Sequence, residues 1–167
     1  MNANTADDGR LAYDHLQIAD ALYRYCAGLD EKDAALLASA FTADAIFDSR
    51  AGAKLFGVES TAVKGRDAIV AMCTGFVAPL DTSHSVSNIR ILIDGDTASA
   101  QARQVAQHYP AGEGTRLDRS RRLLMENRLD FEAVRDGGQW RLHRLTIDNA
   151  WGEGDVSVIM PAAQQAG

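Results

Sequence analysis

Between Leu11 and Leu29 apolar residues recur at helical spacing, with Leu11, His15, Ile18, Leu22, Tyr25, Cys26 and Leu29 sharing one stripe. This predicts one long amphipathic helix, with Asp8 placed to cap it. Asp33 stands where an N-cap belongs, ahead of a shorter apolar helix through Ala34, Leu36, Leu37 and Ala40 that ends before Phe41. Ala45 to Asp48 reads as a strand, and Lys54 to Gly57 as a weaker strand beyond a Gly-containing turn. Gly65-Arg66-Asp67 then opens a helix from Ala68 to Phe76, and Pro79 stops it.

After Pro79 the pattern turns to strands. His84 to Ile93, Thr97 to His108, Ser120 to Arg135 and Gln139 to Asp148 are strand candidates, with Asp94-Gly95-Asp96 and Asp136-Gly137-Gly138 as hairpin turns. Helices followed by a meander predict an α+β fold: N-terminal helices packed on a strongly curved, mostly antiparallel sheet, a cone-shaped α+β barrel with a pocket at its open end. One domain is expected over residues 1–167, with 1–9 and 156–167 as peripheral tails.

Composition narrows the function. The 167 residues are 46% apolar and 24% charged, as in a globular chain, and no apolar run reaches the length of a membrane span. A net charge of −6 argues against nucleic acid as a partner. The basic stretch from Arg116 to Arg128 is interleaved with Asp118 and Glu126 and reads as a solvated strand face or a subunit contact. Cys26 and Cys73 fall inside predicted helices, where a free thiol packs as a small hydrophobe, so neither a disulfide nor a metal is expected. The polar, acidic start lacks a signal core, and the expected location is cytoplasmic. Dinucleotide and phosphate-loop glycine motifs are missing, as is a nucleophile elbow, which leaves acid and base chemistry.

Asp30 is the first candidate for that chemistry. It falls where the long helix runs out, and it is either a helix-end residue or a working carboxylate. A carboxylate beside an imidazole in an apolar cavity makes a general base, because the carboxylate orients the ring and stabilises its protonated form. His84 opens a strand in which His84, Val86, Asn88 and Arg90 alternate with Ser85, Ser87, Ile89 and Ile91, so parity does not settle which side is buried. His108 closes the next strand, roughly opposite His84. Asp30, His84 and His108 formally make a two-histidine, one-carboxylate set, yet they come from three elements without compact ligand spacing, and no metal is expected. His15 reads as a buried packing residue and His143 as a surface one. Tyr23 lies two turns before Asp30 on the same helix face, and Asn127 shares the parity of Leu129 and Phe131, an inward polar candidate.

The stretch from Ile18 to Phe47, with its helix, Asp30, Asp33, Phe41 and Asp44-Ala45-Ile46-Phe47, resembles the opening of the SnoaL-like branch of the nuclear transport factor 2 superfamily. The resemblance runs from Leu11 to Asp155. It is strongest toward scytalone dehydratase, with bile acid dehydratase and hexachlorocyclohexane dehydrochlorinase as relatives. Thr82-Ser83-His84 matches the branch's strand-opening histidine, and Ile147 to Asp155 resembles the segment after the last strand of scytalone dehydratase.

The resemblance implies a cofactor-independent lyase of the dehydratase type. His84 would be the base, Asp30 would orient it, and His108 would assist as acid or hydrogen-bond donor while water or chloride leaves. The implied substrate is a small hydrophobic cyclic or aromatic molecule, and the implied assembly a homotrimer, with a homodimer as the alternative. Leu29 replaces one tyrosine of scytalone dehydratase, Asp48 or a near neighbour replaces another, and Asn149 falls where the bile acid enzyme has arginine. These differences point away from scytalone or a bile acid. Tyr23, as a replacement phenol, is then a substrate-binding candidate together with Asp48, Asn127, Asn149 and Trp151. Two rivals share the pattern: an isomerase or cyclase with the same base, and a non-catalytic small-molecule-binding protein or dioxygenase β-type subunit.

Overall fold

The structure, a computed structural model, describes residues 3–117 and 121–160. Its elements are α1 (Ala3–Asp30), α2 (Ala34–Ser39), β1 (Phe41–Asp48), α3 (Arg50–Leu55), β2 (Val63–Lys64), α4 (Arg66–Val77), β3 (Leu80–Asp94), β4 (Thr97–Pro110), β5 (Leu123–Asp136), β6 (Gln139–Gly154) and a short 3₁₀ turn at Val156–Val158. One six-stranded sheet runs in the order β2-β1-β6-β5-β4-β3, antiparallel except where β1 lies parallel to β6. Curved around the helices, it forms the cone that the sequence predicts.

α1 begins several residues before Asp8, which is therefore inside the helix and not its cap. Its stripe buries Ile18, Leu22, Tyr25, Cys26 and Leu29, whereas Leu11 is 48% exposed and His15 only half-buried. The helix stops because Lys32 takes a left-handed conformation (φ 56°), and its amide bonds back to Leu29. Asp33 then caps α2 as expected, its Oδ1 accepting from the amides of Ala35 and Leu36 at 2.9 Å. α2 crosses α1 so closely at Gly28 that a Cβ there would sit 2.7 Å from the backbone of Leu37. Only glycine allows that crossing, which fixes the end of α1, and Asp30 with it, against the sheet.

The closed end of the cone is sealed by a buried ion pair. Asp14, 5% exposed, accepts from Arg135 at 2.8 Å and from the indole N–H of Trp140 at 3.0 Å. Arg135 also bonds Asp96 at 2.8 Å and lies 4.8 Å over the Trp140 ring. The Arg135 bond outweighs the desolvation of Asp14 and holds its carboxyl below the usual range.

The strand assignments also need correction. The segment after β1 is the helix α3 and not a strand: Arg50-Ala51-Gly52-Ala53-Lys54-Leu55 lacks β-branched and aromatic residues, and Asp48 ties down its first turn through the amide and guanidinium of Arg50. The two-residue strand β2 is too short to leave a periodic trace. The long strands also overrun their predicted ends, β6 by six residues to Gly154. β5 begins at Leu123, and the expected start at Ser120 lies outside the described residues.

β3 carries the feature that the alternation could not resolve. Between Ser87 and Arg90 its register with β4 shifts, and Asn88 sits at φ 54°. Before this bulge His84 and Val86 face inward; beyond it Ile89, Ile91 and Ile93 do, packing on the core. One strand therefore presents two parities.

Candidate active site

The end of α1 and the start of β3 meet at Asp30. Its Oδ1 accepts from the Thr82 hydroxyl at 2.8 Å and stands 2.6 Å from His84 Nδ1, while its Oδ2 accepts the His84 backbone N–H at 2.8 Å. Burial pushes the Asp30 carboxyl up, but the His84 side chain, the His84 amide and Thr82 together outweigh it and bring it below its ordinary value. Asp30 is thus ionised at neutral pH, which requires His84 Nδ1 to be the donor. The lone pair of His84 is then on Nε2, the nitrogen away from Asp30.

His84 is one wall of a cavity of about 370 Å³. Tyr25 and Leu29 come from α1, Phe47 from β1, Met72, Cys73 and Phe76 from α4, and His108, Met125 and Ile147 from the sheet. Gly52, Ala53 and Phe56 from α3 and the residue after it line the cavity too, as do Ile159 and Met160. The lining is mostly apolar and, among the described residues, has no lysine, arginine, aspartate or glutamate.

His108 is 5% exposed, its ring 5.8 Å from that of His84 and perpendicular to it. The paired residues across the strands are Thr82 with His108 and His84 with Ala106, so the two imidazoles are diagonal neighbours. His108 Nδ1 donates to the Leu123 carbonyl at 3.3 Å. Burial lowers its pKa to about 4, and protonating it together with the adjoining His84 ring would be opposed by repulsion between the two. His108 is therefore neutral, with its N–H already used and Nε2 an acceptor.

Tyr25 is 3% exposed, packed edge-on against Phe41 and tilted on Phe47. It lines the cavity, and its hydroxyl has no hydrogen-bond partner among the described residues. Burial raises its pKa well above the ordinary phenol value, so it stays a donor.

A family model described as a SnoaL-like domain matches residues 10–146. The chain belongs to the SnoaL-like family. A curated relative, the terrestric acid biosynthesis cluster protein E of Penicillium crustosum, is 34% identical over 145 residues, 85% of this chain and 86% of its own. A scytalone dehydratase-like protein of Novosphingobium aromaticivorans superposes with a TM-score of 0.72 at 20% identity, over 89% of this chain and 91% of that one. Hexachlorocyclohexane dehydrochlorinase type 3 of Novosphingobium barchaimii does so with a TM-score of 0.70 at 20% identity, over 91% and 96%. At these identities the two solved structures establish the shared fold.

Within this SnoaL-like domain the predicted site residues divide. Asp30, His84 and His108 come together, and Asn127 and Asn149 line the cavity. Tyr23 does not: it is 50% exposed, because Asp30 sits at the flank of the helix and reaches sideways to β3, so sharing its face does not mean facing the core. Tyr25, on the buried stripe, is the phenol that faces the cavity. Asp48 points to the opposite side of β1 from Phe47 and is held by Arg50 at 2.7 Å. Trp151 is 50% exposed and flanks a surface groove with Leu55 and Val156. His143 is half-buried near Thr42 and Asp44 and not fully on the surface. Asp30, His84 and His108 do not form a cluster suited to a metal among the described residues. Sequence reasoning missed Gln104, Met125, Ile159 and Met160; the two after Asp155 follow a segment too weakly patterned to assign.

Proposed function

We propose that this protein is a cofactor-independent lyase of the dehydratase type, acting on a small hydrophobic cyclic or aromatic molecule that carries an acidic C–H beside a carbonyl and a hydroxyl one carbon further on. The observation that supports this most is the 2.6 Å contact between an ionised Asp30 and His84 Nδ1, which leaves a basic Nε2 on an apolar cavity. His84 Nε2 takes the proton from carbon, and the C–H electron pair moves to the carbonyl oxygen as an enolate. The enolate electrons then return, the C–O bond to the hydroxyl breaks, and the His84 proton goes to the departing oxygen. One water leaves, a C=C bond forms, and His84 is again neutral.

Asp30 is a positioning residue in this scheme: it fixes the tautomer of His84 and stabilises the imidazolium. His108 Nε2 accepts the O–H of the leaving hydroxyl and turns an oxygen lone pair toward His84. Tyr25 donates from α1. Relatives in a fungal biosynthetic cluster and among dehydratase and dehydrochlorinase structures support a reaction of this kind.

The test is a panel of cyclic β-hydroxy ketones analysed by mass, where the product is lighter by one water; an unchanged mass indicates an isomerase instead. His84→Ala and Asp30→Asn should each lower kcat about a hundredfold or more. Full activity in both variants refutes the assignment.

A further inference from the structure

The cavity floor is crossed by a row of three amides. Gln104, Asn127 and Asn149 are direct cross-strand neighbours on β4, β5 and β6, and they bond to one another: Asn149 Nδ2 donates to Asn127 Oδ1, and Asn127 Nδ2 donates to Gln104 Oε1 at 3.0 Å. Gln104 Nε2 ends the row on Cys26 Sγ at 3.3 Å. Gln104 is 1% and Asn127 6% exposed. Beyond the row, Ala102 and Leu129 belong to the dry core.

A hydrogen-bond count shows what the row offers. Asn127, in the middle, uses its carbonyl and one N–H within the row, and a second N–H has no acceptor among the described residues. Reversing all three amides leaves this count the same. A buried N–H donor without a partner is costly, and a ligand oxygen removes the cost. The row is also at the right depth. Asn127 is two strands across and two residues along from His84, roughly 12 Å between backbones on a flat sheet, and both side chains line the one cavity that the curved sheet encloses. That spacing accommodates the reacting carbon under His84 and its carbonyl oxygen on the floor.

We infer that Asn127 is the oxyanion donor of this site, and that the substrate's activating group is a neutral carbonyl whose oxygen rests on the amide row. This rests on the proton-abstraction reading above and names the group it activates. Among the described residues the lining holds no cation, so the enolate is stabilised by N–H and O–H donors and a substrate carboxylate meets no counter-ion there.

The probe is p-nitrophenol, whose phenolate mimics an enolate oxygen on a flat ring, set against p-nitrotoluene, which has the same shape without the oxygen. Binding is followed at a pH where the phenol is ionised. Wild type is expected to bind the phenolate at least about tenfold more tightly than Asn127→Leu does, the span of one hydrogen bond to a charged group, with nitrotoluene affinity unchanged. Asn127→Asp, which keeps the acceptor for Asn149, should reject the phenolate and keep nitrotoluene, so the test stands if the leucine variant does not fold. The same preference is expected in His84→Gln, where the base is gone, so a failed catalytic assignment would leave it in place. Equal loss of both probes in the Asn127 variants, or no phenolate binding by wild type, overturns the inference.

Discussion

His108 ties the acid stability of the fold to its site. In the unfolded chain its imidazole takes up a proton as the pH falls through about 6.5, while in the folded protein burial delays protonation to about 4. Between these values the unfolded state binds more protons, so stability rises with pH across the window. The contribution of the neutral ring is complete above about 6.5, declines as the pH falls, and is exhausted near 4. At ~1.4 kcal/mol per pH unit the whole window is worth roughly 3 kcal/mol, a large share of the ~5–15 kcal/mol that holds a domain together. The perturbation is His108→Phe, since a phenyl ring can keep the edge contact that His108 makes with Phe76 at 6.0 Å. Urea unfolding of both proteins from neutral pH down to about 4 gives the comparison. Wild type is expected to lose about 3 kcal/mol more than the variant. Parallel pH dependences would show that His108 is hydrated and protonates freely, and the neutral-acceptor role assigned to it would fall with that result.

Two structural contacts have similarly direct consequences. Gly28→Ala forces a methyl group onto the backbone of Leu37, and overpacking of this kind should cost about 1–3 kcal/mol, seen as a lower Tm. Asp14→Asn removes the charge that Arg135 and Trp140 both contact and should cost about 3 kcal/mol at neutral pH in urea unfolding. Because the Asp14 carboxyl is held below 3.8 by Arg135, its stabilisation is present above that pH and is lost as the pH falls through the lower folded value. The variant should therefore show less acid sensitivity below about pH 4 than wild type.

Much of the fold is legible because its signals are local. The Asp33 cap, the stripe from Ile18 to Leu29 and the two glycine turns each depend on neighbours within a few residues. The site is harder because it depends on register. Counting back from a tight turn locates His108 near His84, and the structure places the two rings side by side. The amide row defeats that count: no tight turn joins β4 to β5, and β5 and β6 slip by one residue between Glu126 and Asn127. Gln104 thus gave no sign of standing beside Asn127. Tyr25 was hidden for the opposite reason, since a tyrosine on an apolar stripe looks like core until a cavity opens beside its hydroxyl. α3 shows a third limit, a six-residue stretch whose helical state is held by Asp48 and by packing on β6 rather than by its own periodicity.

The bulge at Asn88 works as a phase shifter. Residues upstream keep time with the cavity and residues downstream keep time with the core, and a single left-handed residue separates the two rhythms. One residue more or fewer at that point would put the halves in step, and the isoleucines, with the larger apolar stake, would decide which way the strand faces. His84 would then look outward with every functional side chain still encoded. Aspartate and histidine at the right positions are for this reason an incomplete signature of the site; the turn of backbone that aims them belongs to it as well.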